Sequence, residues 1–548
     1  MAGLVVSSVF CLAGVADPRF SEVAESAGLD FQHVNGMAGE RWIVETVGAG
    51  VGVLDFDGDG RLDIWLVQGG PLVDRAVGLP KDRLFRNTST GGKLRFEDVT
   101  DASGVSSTEY GMGVAAGDMD NDGDADVFVA NFGRNRLFEN LGDGRFRDIT
   151  ANAGLAAPEW SVSASWADID GDGLLDLYVV NYLDYAIANN KVCRDIASRA
   201  AYCAPSSYAP VPDRLYRNLG RGRFADISDA AGIGGVAGPG LGVVAHDIDA
   251  DGAVDFYVAN DGTANFLWLN QGDGRFEDGA ELAFVAVNGN GAAEAGMGVD
   301  AEDFDADCDV DLFVTHLATE TNTLYVNQGD WFSDSTNQAG LAASSGPFTG
   351  FGTGWFDADN DGDLDLFSAN GAVSAIAALR EAGDGYPLRQ RNQLWLNNGH
   401  GRYAEVLDEP ALATLEVSRG VAFADLDNDG DVDLVTANNS GAARVYRNTA
   451  TASWVGVDVR GRNGGTAVGA EVWLESSPCP RRRVATDGSF ASANDPRIVF
   501  GRADDAAPQT VYVRWPDGTE TRFGPLVPGR YHRLRMPPEP DGPFEELP

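Results

Sequence analysis

Histidine is scarce in this chain of 548 residues: there are five, and they are scattered. There is no His-Glu-x-x-His zinc motif, no Gly-x-Ser-x-Gly elbow and no Gly-x-x-x-x-Gly-Lys phosphate loop. The familiar signatures of zinc proteases, serine hydrolases and P-loop nucleotidases are therefore missing. No stretch approaches the ~20 apolar residues of a membrane-spanning helix. Basic side chains are few, 40 Lys and Arg against 83 Asp and Glu, for a net charge of −43. Nucleic acid and anionic membrane are repelled by such a surface. The excess charge serves solubility, or a basic or metal-seeking partner. Strong acidity can mean disorder, but 44% hydrophobic residues and 69 regularly placed glycines indicate a packed, turn-rich fold.

What the chain has in abundance is one spacing, Asp-x-Asp-x-Asp-Gly-x-x-Asp, written seven times. The first copy is Asp55, Asp57, Asp59 and Asp63, the second Asp118, Asp120, Asp122 and Asp126, the third Asp168, Asp170, Asp172 and Asp176. The fourth is Asp247, Asp249, Asp251 and Asp255, and the fifth Asp303, Asp305, Asp307 and Asp311. Asp357, Asp359, Asp361 and Asp365 form the sixth, and Asp425, Asp427, Asp429 and Asp433 the seventh. Alternate carboxylates converging on one point, with glycine at the sharp turn, suit Ca²⁺, which takes six to eight oxygens. Up to seven ions are expected. An EF-hand needs a bidentate Glu at the twelfth position, where this chain has Leu66, Val129, Val179, Val258, Val314, Ser368 and Thr436. Each loop is followed at once by a short apolar run such as Ile64-Trp65-Leu66-Val67, so the loop joins two strands. In the fifth copy Cys308 replaces the glycine, and that loop is expected to be distorted or empty.

Around each loop lies a longer unit. It opens on a strand such as Phe96-Glu-Asp98 or Phe146-Arg-Asp148, passes through a Gly-x-Gly segment and the loop, and closes on Leu-aromatic-x-Asn, as in Leu84-Phe85-Arg86-Asn87. Repeats of four short strands predict blades around an axis. The expected fold is all-β: a seven-bladed β-propeller with calcium-binding loops over residues 18–448, and a small C-terminal β domain over 453–536. Residues 537–548 read as a tail.

Residues 1–16 are apolar or small and end in Gly14-Val15-Ala16, which fits a secretory signal without its basic start. The expected location is secreted, periplasmic or extracellular. Cys193 and Cys203 share one insertion and are placed to close a disulfide in an oxidising compartment; the alternative is two free thiols. Excursions at about 183–213, 372–393 and 69–83 leave their units at the same place and should decorate one face, where an unknown protein, glycan or small molecule would bind. Five residues beyond each last loop Asp stand Gln68, Asn131, Asn181, Asn260, His316, Asn370 and Asn438. They either line a mouth of the axial channel or cap strand ends on local backbone. His316 is the one candidate for catalysis.

The Gly-x-Gly and Asp-loop units resemble FG-GAP (VCBS-type) repeats, as in integrin α-chain propellers. Val468-Gly469-Ala470-Glu471-Val472 and Val513-Arg514-Trp515-Pro516-Asp517-Gly518 look like an ASPIC/UnbV domain, although Asp487-Gly488-Ser489-Phe490 replaces a usually longer Gly/Gln-rich stretch. With Tyr202-Cys203-Ala204-Pro205, the combination is similar to the cartilage acidic protein family. The resemblance implies an exported calcium-binding propeller. Two functions stay open: a calcium-stabilised binding or adhesion scaffold, and a calcium-dependent enzyme (a secreted hydrolase or a biosynthetic cyclase) with its site at the propeller axis. A channel filled by apolar side chains would favour the scaffold.

Overall fold

The computed structural model describes residues 19–73, 79–503 and 505–537. The expected signal segment and residues 538–548 lie outside the described residues. The apolar runs on either side of each Asp loop pair antiparallel, so that every loop is a hairpin turn. In the first such pair Leu54 lies opposite Asp63 and Val51 opposite Leu66. Arg83–Asn87 and Phe96–Asp98 then add in order to complete a four-stranded sheet.

Five further sheets repeat this order. They begin at Tyr110–Gly117, Ser161–Ala167, Gly240–His246, Val299–Glu302 and Gly350–Phe356. The seventh takes three strands, Ser418–Ala424, Asp433–Asn438 and Arg444–Asn448, and its outer strand, Phe20–Glu22, comes from the N-terminal end. The aromatic strand that opens each unit in sequence is thus the outer strand of the preceding sheet. A short connection separates it from Leu-aromatic-x-Asn, so the two pair as a hairpin; the longer link runs from the outer strand to the next sheet. First strands of successive sheets lie side by side, and that of the seventh lies against that of the first. Gly-x-Gly has its reason here: a Cβ on Gly113 or Gly298 would strike the main-chain oxygen of Val162 or Phe351 in the next sheet.

Beyond Asn448 two further sheets form a small β sandwich. Trp454–Arg460 pairs with Ile498–Gly501 and, in parallel, with Tyr531–Arg535. Ser477–Arg483, Glu471–Leu474, Gln509–Arg514 and Glu520–Leu526 make the other sheet. Val455, Val457, Val472, Val511, Val513 and Trp515 are buried between the two.

Candidate functional site

The seven Asp loops share one backbone. In the first, Asp55 accepts the N–H of Asp59 on Oδ1 and of Gly60 on Oδ2, at 3.0 and 2.9 Å. The fourth and sixth positions lie in the left-handed region in every copy, at φ +57° to +72° and +82° to +103°. Cys308 takes φ +82° like the glycines, and Asp303 accepts from Asp307 and Cys308 at 3.1 and 3.0 Å. The expected distortion is therefore not found. Cys308 is held by a disulfide to Cys479, which ties the fifth loop to the C-terminal domain.

Carboxylate oxygens of Asp55, Asp57 and Asp63 lie within 4.8 Å of one another, as do those of Asp118, Asp120 and Asp122, and of Asp168, Asp170 and Asp176. Oδ1 of Asp57, Asp120, Asp359 and Asp427, all at the third position, is buried without a hydrogen-bond partner, and so is Oδ1 of Asp247. A buried oxygen lacking a donor is costly, and a hard oxygen-seeking cation would satisfy it. The donor set fits Ca²⁺.

The ninth-position carboxylates are buried and do structural work as well. Asp63 accepts the N–H of Phe56 and of Asn87 at 3.0 and 2.7 Å, and the other six repeat both bonds. Burial raises their pKa values, Asp63 and Asp365 to about 8 and Asp126 and Asp311 to about 9. A cation in the loop favours the ionised form and opposes this shift. The asparagine of Leu-aromatic-x-Asn links neighbours: Asn140 Nδ2 donates to Phe56 O of the first sheet, Asn218 to Met119 O of the second, and Asn270 to Ile169 O of the third. The motif was visible in sequence; its role between sheets was not.

The C-terminal domain sits on the Asp-loop side. Tyr531 donates to Asp425 at 2.8 Å, Arg497 donates to the carbonyl of Asp425, and Gly465 and Gly501 pack tightly against Asp118 and Asp357. Between this domain and the first two loops lies a cavity of about 450 Å³ whose lining includes Asp55, Asp118, Arg460, Arg497 and Tyr531.

From the same domain, residues 486–495 run up the centre of the ring and touch all seven sheets. Ala493 exchanges both main-chain bonds with the first sheet, at 3.0 Å to Val51 and Val53. Thr486 bonds Ala116 of the second, and Asp487 accepts from Ser165 of the third and from Ala245 of the fourth. Ser489 O receives Val299 N–H of the fifth, Phe490 meets Phe351 of the sixth at 4.9 Å, and Asp495 donates to Phe423 of the seventh. Phe490 lies in one buried cluster with Met112, Val162, Leu241, Met297 and Phe351. Ile43, Val44 and Val47, with Tyr182, Leu183 and Tyr208 around the 183–213 insertion, join the same cluster. Arg419, fully buried, donates to the carbonyls of Thr46, Gly371, Ser418 and Ala372 and lies 3.9 Å over the Phe351 ring.

The seven amide and histidine positions stand at the ends of second strands, one strand out from the axis. Asn181 bonds Pro212 O, Asn260 bonds Ala264 O, and Asn438 bonds Ala442 O. His316 Nδ1 lies 2.9 Å from Thr321 O, and burial lowers its pKa to about 4. Asn260, Asn438 and His316 thus meet backbone four or five residues on, whereas Asn181 reaches across its insertion; Ser161 and Ser418 donate to Oδ1 of Asn181 and Asn438, and His316 Nε2 lies buried 3.8 Å from Glu294 Oε2. A second set, missed in sequence, holds these residues: Asp82, Asn135, Asp213, Asn265, Asn322 and Asn392 accept the N–H of Gln68, Asn131, Asn181, Asn260, His316 and Asn370. Cys193 and Cys203 form the second disulfide. Among the described residues no helix is long and apolar enough to cross a membrane.

Comparison with known proteins agrees with this architecture. The profile of the FG-GAP-like repeat matches residues 55–129, 118–179, 247–314, 303–368 and 376–436, over half of the chain, and that of ASPIC and UnbV matches 460–540. Human cartilage acidic protein 1 is 29% identical over 340 residues, 58% of this chain and 48% of that protein; the mouse protein is also 29% identical, over 58% and 49%. The chain thus spans about half the length of the curated relatives it matches. Among solved structures, an Agrocybe aegerita lectin recognising terminal N-acetylglucosamine is 14% identical with a TM-score of 0.36, covering 77% of this chain and 92% of its own. YCF48 bound to a D1 peptide is 8% identical with a TM-score of 0.40, over 74% and 92%. The Asp loops, the repeated four-stranded sheets and the profile matches lead to one assignment: this chain belongs to the FG-GAP-like repeat family and carries an ASPIC/UnbV domain at its C-terminal side.

Proposed function

We propose that the protein is an exported, calcium-stabilised binding scaffold whose seven sheets close as a propeller. The observation that carries this reading is the set of buried, donor-less carboxylate oxygens, at the third position of four loops and the first of another. Four carboxylates per turn repel one another until a cation arrives, so binding energy becomes folding energy. Two disulfides suit an oxidising compartment, and kinship with cartilage acidic protein 1 suits an extracellular one. The axial enzyme finds less support: the centre is occupied by Phe490 and its apolar neighbours, and His316 stands away from it, with Nδ1 on Thr321 O and Nε2 3.8 Å from Glu294 Oε2.

The test is thermal unfolding of the full chain with calcium and with chelator, together with metal counting by mass spectrometry. A large fall in Tm on chelation, with several ions per chain, is expected. An unchanged melt, or a single tightly held ion, would refute the calcium clamp and return attention to a dedicated metal-dependent site.

A further inference from the structure

The repeat supplies internal comparisons for every position, and three departures from it meet in one place. The residue before the aromatic outer strand is arginine in six sheets: Arg19, Arg95, Arg145, Arg223, Arg275 and Arg402. In the fifth sheet it is Trp331. In five sheets the turn after that strand ends on Gly28, Gly104, Gly154, Gly232 or Gly340, all at φ +79° to +91°; after the sixth sheet Ala411 stands there, within a short 3-10 turn. After the fourth sheet it ends on Phe284, at φ +60°. Two residues earlier the other turns have Ser26, Ala102, Asn152, Ala230, Gln338 and Glu409, where this one has Leu282.

The turn itself keeps its bonds. Ala283 O accepts the N–H of Phe332 at 2.9 Å, as Ser103 O accepts that of Phe146 at 2.8 Å. The left-handed region is one that bulky side chains rarely adopt, and here it holds an aromatic ring outward. Leu282 is 84% exposed, Phe284 64% and Trp331 46%. The two rings stand 6.1 Å apart at 81°. Strain spent on presenting apolar surface to water points to a surface that is used.

The charge around it selects the occupant. From Phe276 to Leu379 the chain has no Lys or Arg, against 19 Asp and Glu. Glu277, Glu281 and Asp330, all exposed, lie close in sequence to the three apolar residues. The arginine that elsewhere offsets such acids, as Arg145 does beside Asp143, is the residue Trp331 replaces. A second copy of this chain, or an anionic membrane, would bring like charge to like. The edge-to-face pair with its leucine forms an uneven wedge suited to side chains more than to a flat sugar face.

We infer that the rim between the fourth and fifth sheets, at Leu282, Phe284 and Trp331, docks a partner-protein segment with apolar side chains flanked by Lys or Arg. This inference stands apart from the calcium reading. The test uses the full chain, calcium present, and a short synthetic peptide of alternating Leu and Lys, with a Leu–Glu peptide as control, followed by titration calorimetry at two salt concentrations. Leu282→Ala/Phe284→Gly/Trp331→Arg places at each position a residue that other repeats carry there, and should melt no lower than the parent. Leu282→Ala/Phe284→Gly leaves the charge untouched. Both variants are expected to bind the Lys peptide at least roughly tenfold more weakly than the parent, with parent affinity falling as salt rises and no binding of the Glu peptide. Equal binding by parent and variants, or equal binding of both peptides, would overturn the assignment. So would a concentration-dependent dimer of the parent that the variants lose, which would give the face to a second copy.

Discussion

Asn87, in the third strand of the first sheet, donates its side-chain amide to the main-chain carbonyl of Leu426 in the seventh, 2.7 Å away across 339 residues of sequence. The same amide reaches Leu62 O at 2.9 Å, so one buried side chain satisfies two carbonyls in two sheets. Among the described residues the Asn397 side-chain amide donates within its own sheet alone, to Leu364 O at 3.2 Å.

Asn87→Leu leaves both carbonyls without that donor and is expected to cost about 1–3 kcal/mol per orphaned group. Asn397→Leu should cost less. Guanidinium unfolding of the two variants beside the parent measures the difference, and equal losses would remove Asn87 from any special role at the junction.

Asp82 and Asp213 occupy places where four other sheets have asparagine. Burial raises both carboxyls to about 7, whereas the unfolded chain releases these protons near pH ~4. The folded protein therefore binds more protons between those values. Their contribution to stability is full below about pH 4 and is lost as pH rises through about 7. With calcium saturating, Asp82→Asn/Asp213→Asn should unfold at higher denaturant than the parent at pH 8 and show a flatter profile from pH 5 to 8. Parallel profiles would contradict it.

Phe490 is wholly buried at the centre of the ring. Phe490→Ala opens a cavity that the surrounding sheets cannot all collapse into, and a loss of about 3–5 kcal/mol is expected. Calorimetry should show the main transition moving down; a shift confined to a separate C-terminal transition would mean that the two parts unfold independently.

Cys308→Gly with Cys479→Ser has two opposed effects. It relieves a left-handed non-glycine residue, worth about 1–2 kcal/mol, and removes a cross-link between residues 171 apart, worth about 2–4 kcal/mol. A net loss is expected, and reductant should lower the melt of the parent but not of the variant. A variant that melts above the parent would show that the cross-link adds little.

The parts that repeat were legible in the sequence. Asp55 to Asp63 and its six echoes identified the hairpins, and the Gly-x-Gly segments marked the stretch before each loop, although their crowding against the next sheet shows only in the fold. What occurs once was not legible. The outer strand Phe20–Glu22 belongs to a sheet more than four hundred residues away, because pairing depends on link length and not on the order in which motifs are read. Asp487-Gly488-Ser489-Phe490 looked like a shortened family segment, yet it fills the axis, through contacts of the Asp487 carboxylate, the Ser489 carbonyl and the Phe490 ring with sheets far away in sequence, which no local pattern records. The pairing of Cys308 with Cys479 depends on how the terminal domain docks, and no spacing rule encodes that. The Asn135-type acceptors escaped notice because Asp and Asn share the position.

The position of residues 486–495 at the axis has a consequence for the chain's history. The first six sheets can form their hairpins as they emerge, but the seventh needs both Phe20–Glu22 and Arg444–Asn448, and the centre stays open until Phe490 has been made. Synthesis runs from the N-terminal end, so the ring cannot be finished until nearly nine-tenths of the polypeptide exists. The earlier hairpins are thus made first, and the residues that join the seventh sheet and fill the axis are the last of the ring to be supplied.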